Sequence, residues 1–438
     1  MRFSRRVVQI LLIIAVVTSI VLSFFVWSNT ARYQLGKDID LTESSSYDKD
    51  NIPIDQIISP TQVIWHDGKN QKLIYNSKEN ISYTIQESMK KWKIQAPELV
   101  FKKDGAKYQQ KIQQKDTIQL VYPTQISVNT LGYILGDKIL QKASDKTFDR
   151  IIFTTNNGKD PFVYLADDDS YTVYRAKVGN ASSLPVLDLA KKSNINYDVQ
   201  LNTMKQGIRT FFREPISMQS YSYVITSKND SEYTSPLFSS SKYDISTSQN
   251  GDNYIYAYGD SLRLESDHST GELTFNDYSD NSVPKNRLDF FLRGYNKVTK
   301  IESSVSNLRL FRGNYKQKSL IYREYVEGFP IFNKTTFGSV KINFSRDGST
   351  EMFINRVLEV PVPSDQQKTE LKPTSDILTG LVNSGYLAND IEDIEVGYQW
   401  KNEENADNVV DLVPTYYVKM QGKWKTYSEW TNLSALEE

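Results

Sequence analysis

The block Gly259-Asp260-Ser261-Leu262 spells a serine-hydrolase signature. There a serine sits on a strand-to-helix turn and a distant Asp-x-x-His supplies the base. A serine hydroxyl is a poor nucleophile without a base in hydrogen-bond reach. The chain has two histidines: His66 in an expected hairpin and His268 in an expected turn, with none near the C-terminus. The block also opens an alternating apolar–polar segment, the pattern of a strand. A turn is the better reading. Asp167-Asp168-Asp169 suggests a cation, but loops of the EF type need ligands at alternate positions and a closing Glu. Both are absent, so a solvated turn is expected. Glu403-Glu404 with Asp407 and Asp411 reads as an exposed loop between strands. With no cysteine, thiol catalysis and thiolate metal sites are excluded. No Gly-rich phosphate loop is present. No catalytic residue, cofactor-binding residue or metal ligand is assigned, and no cofactor.

The best-motivated interaction site lies instead in Val7–Trp27, 21 residues without charge, Gly or Pro. As a helix this run is about 30 Å long, enough to cross a bilayer. Arg2, Arg5 and Arg6 precede it, which puts the N-terminus in the cytoplasm and the bulk of the chain outside. The apolar core exceeds the roughly 7–15 residues of a cleaved signal, and Ser28–Arg32 holds no small-x-small site, so a retained anchor is expected. Ala15, Ser19 and Ser23 fall on one helix face with Thr18 beside them. In lipid, close approach across small residues drives helix association. Small residues also occur in membrane spans without such a role. Gln9 offers an interhelical hydrogen bond.

These features need a large extracytoplasmic body to position or be positioned by. The chain has 438 residues, too many for one core. Without the three cytoplasmic arginines, 49 basic residues face 53 acidic ones, a net charge of −4. That argues against a nucleic-acid partner. The 28 Tyr and 19 Phe favour strands. They could line a groove, but aromatic residues on strands are more often core. The expected class is α+β: one N-terminal transmembrane helix, then a multi-domain, mostly antiparallel ectodomain. The division is 1–6 cytoplasmic, 7–27 transmembrane, 28–50 linker, 51–195 first domain, 196–300 middle domain and 301–438 C-terminal domain.

Within this frame, Gln62–Trp65 and Lys72–Tyr75 form a hairpin about Asp67-Gly68. Glu79–Trp92 and Thr124–Leu135 read as helices, and Phe148–Thr154, Phe162–Leu165 and Tyr171–Arg175 as strands. A weak repeat follows. Hairpins turning at Gly271 and at Asp347-Gly348 each precede a helix ending in Gly-Tyr, Arg287–Tyr295 and Ser375–Tyr386. Two strands follow each helix, ending in Leu320–Gly328 and Pro414–Gly422, and Asn202–Phe212 is expected as an earlier helix.

The stretches Tyr322–Phe332, Ile394–Tyr398 and Leu412–Lys419 with Trp424, behind an N-terminal anchor, resemble the YycH family. The resemblance covers essentially the full length and is tightest from about 300 to 430. It implies a non-enzymatic extracytoplasmic accessory of the WalK/WalR (YycG/YycF) two-component system of low-GC Gram-positive bacteria. It implies a membrane-anchored YycI-like partner, a sensor histidine kinase controlling cell-wall metabolism, and two C-terminal units of YycI-like topology. It also strengthens the Ala15-Ser19-Ser23 face as a helix contact. The alternative is an extracytoplasmic ligand-binding protein or wall-acting hydrolase, which a deep polar cleft with two facing carboxylates would favour.

Overall fold

Alternation of buried and exposed residues sets the first sheet. In the computed structural model, Gln62–His66 and Gln71–Tyr75 pair antiparallel across a turn closed by Asp67 and Gly68 (φ +89°). The structure describes residues 52–434 except 77–79, 144–145, 156–161, 180–185, 227–228, 239–243, 280–281, 302–306, 333–337, 356, 363–367 and 404–405. The transmembrane segment and every residue assigned to it lie outside the described residues.

The hairpin sits inside a ten-stranded antiparallel sheet. Its order is Gly207–Phe212, Ile195–Met204, Gln71–Tyr75, Gln62–His66, Thr117–Ser127, Thr147–Thr154, Phe162–Asp167 and Thr172–Gly179, with Lys93–Ile94 and Glu98–Phe101 both on the last strand. One face carries the helices Ile81–Met89, Val128–Leu135 and Val186–Lys191, through a core that includes Ile85, Leu120, Leu131, Phe148 and Leu189. The other face packs on Tyr108 and Ile112 of the helix Gly105–Ile112 and on residues from the C-terminal half.

Two expected helices are corrected here. Asn202–Phe212 forms parts of two strands joined at Lys205-Gln206, with Gly207 at φ +103°. Ile208, Phe211 and Phe212 are buried there, and the β-branched and aromatic side chains fit a pleated surface better than a helix. Thr124–Ser127 continues a strand before the helix Val128–Leu135 starts. Pro123 has no N–H to give the ladder, and the register shifts between Val121 and Ile126.

A fourteen-stranded sheet makes the rest. Its central order is Ser246–Asn250, Asn253–Tyr258, Leu262–Asp267, Glu272–Asp277, Thr350–Ile354, Val340–Phe344, Ser319–Val326, Phe329–Phe332, Ile391–Glu403, Ala406–Met420, Tyr221–Thr226 and Val357–Val362. Leu308–Asn314 pairs with Ser319–Val326, and Lys423–Thr426 with Ala406–Met420. The two repeat hairpins lie side by side in it, with Leu273 opposite Ile354. The sheet therefore runs across residue 300. The ten-stranded sheet with its helices is the first lobe. The strands from Ser246–Asn250 through Ser319–Val326 in this order are a middle lobe, and those from Ile391–Glu403 through Val357–Val362 are a C-terminal lobe. Phe329–Phe332, parallel to Ile391–Glu403, links the last two.

Helices Arg287–Ile301 and Thr374–Asn383 each precede two antiparallel strands, Leu308–Asn314 with Ser319–Val326 and Ile391–Glu403 with Ala406–Met420. Gly294-Tyr295 does not end its helix. It sits inside, where a Cβ on Gly294 would stand 2.1 Å from Leu320 and 2.5 Å from the Tyr322 hydroxyl. The glycine is there for close helix–sheet approach. Among the described residues no helix is long and apolar enough to cross a membrane.

Candidate functional site

The three lobes meet at one buried carboxylate. Asp393 stands in the strand Ile391–Glu403, just past a register shift between Ile391 and Asp393, and its side chain is wholly buried. Arg209, from the edge strand Gly207–Phe212 of the first sheet, grips it with two hydrogen bonds: Nε to Oδ1 at 2.5 Å and Nη2 to Oδ2 at 2.9 Å. Arg312 of the middle lobe donates from Nη2 to Oδ2 at 2.6 Å. It too follows a register shift, between Leu310 and Arg312. Bulges re-aim side chains without breaking a sheet. Here two of them point opposite charges from different lobes at one spot. Burial alone would push the Asp393 carboxyl up, but the two guanidinium groups outweigh it and hold it below the usual carboxylate range. Nearby contacts add to the seam. Gln206 Nε2 donates to Glu392 at 3.1 Å, and Thr124 Oγ1 accepts the Gly313 N–H at 3.0 Å.

Beside this junction opens a cleft of about 610 Å³, lined from all three lobes, with Asp149, Asp168, Arg209, Arg312, Glu395 and Lys419 among its walls. That volume lies within the range of small-molecule sites. Glu395 is half-buried, and its carboxyl is pushed up to about 7, first by burial and then by the charge of Asp393. Asp149 and Asp168 are the two carboxylates that bear on hydrolysis. They do not face each other across the cleft. They share one wall, where the Asp168 N–H donates to Asp149 Oδ2 at 2.8 Å. Burial, then the Asp168 charge, raises the Asp149 pKa well above its ordinary value. Two neighbouring carboxyls in different surroundings would suit acid–base work. Asp168, however, is held by Arg150 Nε at 2.7 Å and by the Tyr108 hydroxyl at 2.5 Å. A carboxylate clamped by internal donors is a structural element rather than a free base.

A second buried cation lies near the junction. Arg323 is 2 % exposed, and among the described residues no carboxylate forms a salt bridge with it. Its guanidinium lies 4.1 Å from the Phe332 ring centroid and 4.7 Å from that of Phe311, and Nη1 donates to the Ile331 carbonyl at 3.1 Å. Phe332 stacks on Tyr417 at 3.8 Å, which ties the middle lobe to the C-terminal lobe. Desolvation drives the Arg323 pKa down to about 10. Ring faces attract a cation but do not neutralise it.

Comparison with known proteins fits this architecture. The model of the YycH protein N-terminal domain matches residues 6–195, and that of the C-terminal domain matches residues 210–431. The chain belongs to the YycH family. The crystal structure of YycH from Bacillus subtilis is similar over 85 % of this chain and 96 % of that one, with a TM-score of 0.66 at 15 % identity. That likeness speaks for the fold. No curated protein matches. Membership of the YycH family suggests a regulatory role in the WalK/WalR system, and a family of regulatory accessories is consistent with a chain that is not an enzyme.

The motifs behind the resemblance fall at the lobe seam of this YycH-family chain. Tyr322–Phe332 supplies Arg323 and Phe332, and Leu412–Lys419 supplies Tyr417. Ser261 lies in the turn between Asn253–Tyr258 and Leu262–Asp267, its N–H on the Tyr258 carbonyl. His268 does not reach it. His268 Nε2 pairs with Asp230 at 2.9 Å, and Ser266 and Tyr256 hydroxyls bond the same carboxylate. The carboxylate is thus in the middle, where a triad would need the imidazole. His66 is buried, its Nδ1 accepting the Gly68 N–H, and burial lowers its pKa.

The Asp167-Asp168-Asp169 turn is corrected. Asp167 and Asp168 are buried, not solvated, and Asp167 accepts from Thr147 and Gln125. Among the described residues no group of three or more His, Asp or Glu could hold a metal. Asp411 accepts from Ser222 at 2.6 Å within a strand pair. Many of the tyrosines, including Tyr108, Tyr322, Tyr398 and Tyr416, are core. Arg209, Arg312 and Asp393 have no local signature in the sequence, and only the fold, with the bulges at Arg312 and Asp393, brings them together. Ala15, Thr18, Ser19 and Ser23, with Arg2, Arg5 and Arg6, lie outside the described residues.

Proposed function

We propose that this chain is a non-enzymatic, membrane-anchored regulator that acts with a YycI-like partner on a WalK-like sensor histidine kinase controlling cell-wall homeostasis. The match of both YycH domain models, in order and over nearly the whole chain, carries the reading. The apolar run Val7–Trp27 behind Arg2, Arg5 and Arg6 supports a single-pass anchor with the N-terminus in the cytoplasm and the bulk outside. The recurrence of a helix followed by two antiparallel strands supports two YycI-like units in the C-terminal half. The mechanism is a population shift: a regulator that binds one kinase conformation better than another changes the fraction that phosphorylates. The Ala15-Ser19-Ser23 face packs against kinase helices in the bilayer, and the ectodomain pairs with the partner. No cofactor and no nucleic acid enter.

The test is cross-linking in membranes of cells that express the chain with its kinase. Replacing Ala15, Ser19 and Ser23 together with Leu is expected to cut the cross-linked kinase to about a tenth, the loss of roughly 1.4 kcal/mol of helix packing. An unchanged yield sinks the helix contact. Failure of the full chain to co-purify with a YycI-like protein in mild detergent sinks the pairing.

A further inference from the structure

Among the described residues, four of the seven large apolar side chains that stand exposed are Leu99, Val100, Tyr133 and Ile139, all in the first lobe. Tyr133 (45 %) and Ile139 (54 %) ride on the two arms of a helical hairpin, Val128–Leu135 and Lys138–Gln141. The arms cross at Gly132, where an added Cβ would stand 2.3 Å from the Gln141 nitrogen, so the hairpin is rigidly knit. Gly136, at φ +70°, turns the chain, and Asp137 caps the second arm through the N–H groups of Ile139 and Leu140. Lys138 and Lys142 flank Ile139 and are exposed. Leu99 and Val100 connect to the hairpin base through Lys146, whose ammonium holds the Pro97 carbonyl and whose own carbonyl accepts the Val128 N–H.

The chain enters the first lobe at this hairpin. Ile52 is buried in the same core, and its carbonyl accepts the Tyr295 hydroxyl at 2.8 Å. Helix Ile54–Ile57 packs on the Val128–Leu135 arm, and Tyr133 lies near enough to Tyr295 to add to the rise that burial gives its pKa. Residues 28–51, 24 in all, separate this point from Trp27. Fully extended they reach about 80 Å, and a coil of that length spans about 27 Å. Exposed aromatic and aliphatic side chains edged by lysines are what a headgroup layer accepts. The rings and branched chains enter the boundary while the ammonium groups meet anionic lipid.

We propose that the Val128–Gln141 hairpin is a lipid-contacting foot, which seats Tyr133 and Ile139 in the outer headgroup layer with Lys138 and Lys142 on anionic lipids. This rests on the anchored reading of residues 7–27. The foot sets the ectodomain's tilt and so which surface it turns to a neighbouring membrane protein.

The absence of cysteine makes the test direct. Ile139→Cys, and Leu387→Cys on the C-terminal lobe at the opposite face of the first sheet, each take one environment-sensitive fluorophore. The full chain is reconstituted in phosphatidylcholine–phosphatidylglycerol vesicles bearing headgroup spin labels. Quenching at 139 is expected to exceed that at 387 about twofold or more, and Lys138→Glu with Lys142→Glu is expected to reduce it in these vesicles. Vesicles of phosphatidylcholine alone are expected to show weaker quenching that these charge changes do not alter. Chain that floats with the vesicles but is quenched equally at both positions overturns the foot and leaves the anchor standing. Chain that fails to float overturns the anchor and the foot with it.

Discussion

Two arginine sites near one seam solve the problem of a buried cation in opposite ways. Arg209 and Arg312 converge on Asp393, whose charge holds the Arg209 guanidinium more firmly protonated than usual even against burial. Arg323 has two phenyl rings and one carbonyl, and its pKa falls. The first site is a charge balance spread over three lobes, so each member depends on the others. The second is a packing solution inside the middle–C-terminal seam, where the aliphatic stem and planar head fill space between rings. Ion pairs that are broken leave stranded charge, whereas an unpaired buried cation is already bearing that cost.

The largest effect is therefore expected from Asp393→Ala. It removes the one carboxylate that both guanidinium groups hydrogen-bond. Arg209 and Arg312 side chains are 18 % and 25 % exposed, so water recovers part of the loss. The expected destabilisation is about 3 kcal/mol, toward the lower end for a broken buried pair. It is read as a drop in the denaturant midpoint. Hydrogen exchange is expected to rise in Gly207–Phe212, Leu308–Asn314 and Ile391–Glu403 together. A rise confined to the last strand would show that Asp393 serves its own lobe and not the junction.

The asymmetry in what could be read from the sequence follows the same line. Arg323 and Phe332 belong to a contiguous phrase, Tyr322–Phe332, and the resemblance it carries is borne out by the family match. Asp393 lies 184 residues from Arg209 and 81 from Arg312, and neither separation has a local signature. The C-terminal end of the helix Val128–Leu135, at Gly136, and the hairpin at Asp67-Gly68 are legible because turn residues act within a few positions. Asn202–Phe212 was misread because its apolar spacing fits either period, and pairing with Ile195–Met204 decided it. Asp167 and Asp168 looked solvated since three acidic residues in a row are rarely buried. Arg150, Tyr108 and Thr147, from elsewhere in the lobe, supply the donors that make burial tolerable.

A pH series sharpens the charge-balanced site. The Glu395 carboxyl sits at about 7 in the fold against an ordinary 4.5. Between those values the unfolded chain releases its proton and the folded chain keeps it. Unfolding therefore becomes easier as pH rises from about 4.5 to 7, and above that the loss is constant. For a half-buried group the loss is on the order of 2 kcal/mol. Glu395→Gln is expected to flatten this part of the stability profile, so that wild type minus variant slopes downward with pH. The difference between the two proteins isolates Glu395 from Asp149 and Asp169, which burial also raises. A difference that is flat across the range would mean that the Arg209 and Arg312 charges already hold Glu395 ionised.

The smallest effect is expected from Arg323→Met, and it is the sharpest test of the contrast. Methionine fills a similar channel between Phe311 and Phe332 and keeps a favourable sulfur–ring contact. It gives up the cation–ring attraction and the hydrogen bond to the Ile331 carbonyl, but it also relieves a desolvated charge that, among the described residues, forms no salt bridge. Buried ions replaced by well-packed apolar side chains of similar volume often leave stability unchanged or raise it. The denaturant midpoint should therefore barely move, while Arg323→Ala, which leaves a void between the rings, should cost about 2 kcal/mol or more. If Arg323→Met proved as costly as Asp393→Ala, the rings would be holding the charge and not the volume. The two sites would then be variants of one electrostatic solution, with Phe311 and Phe332 in the place of the carboxylate.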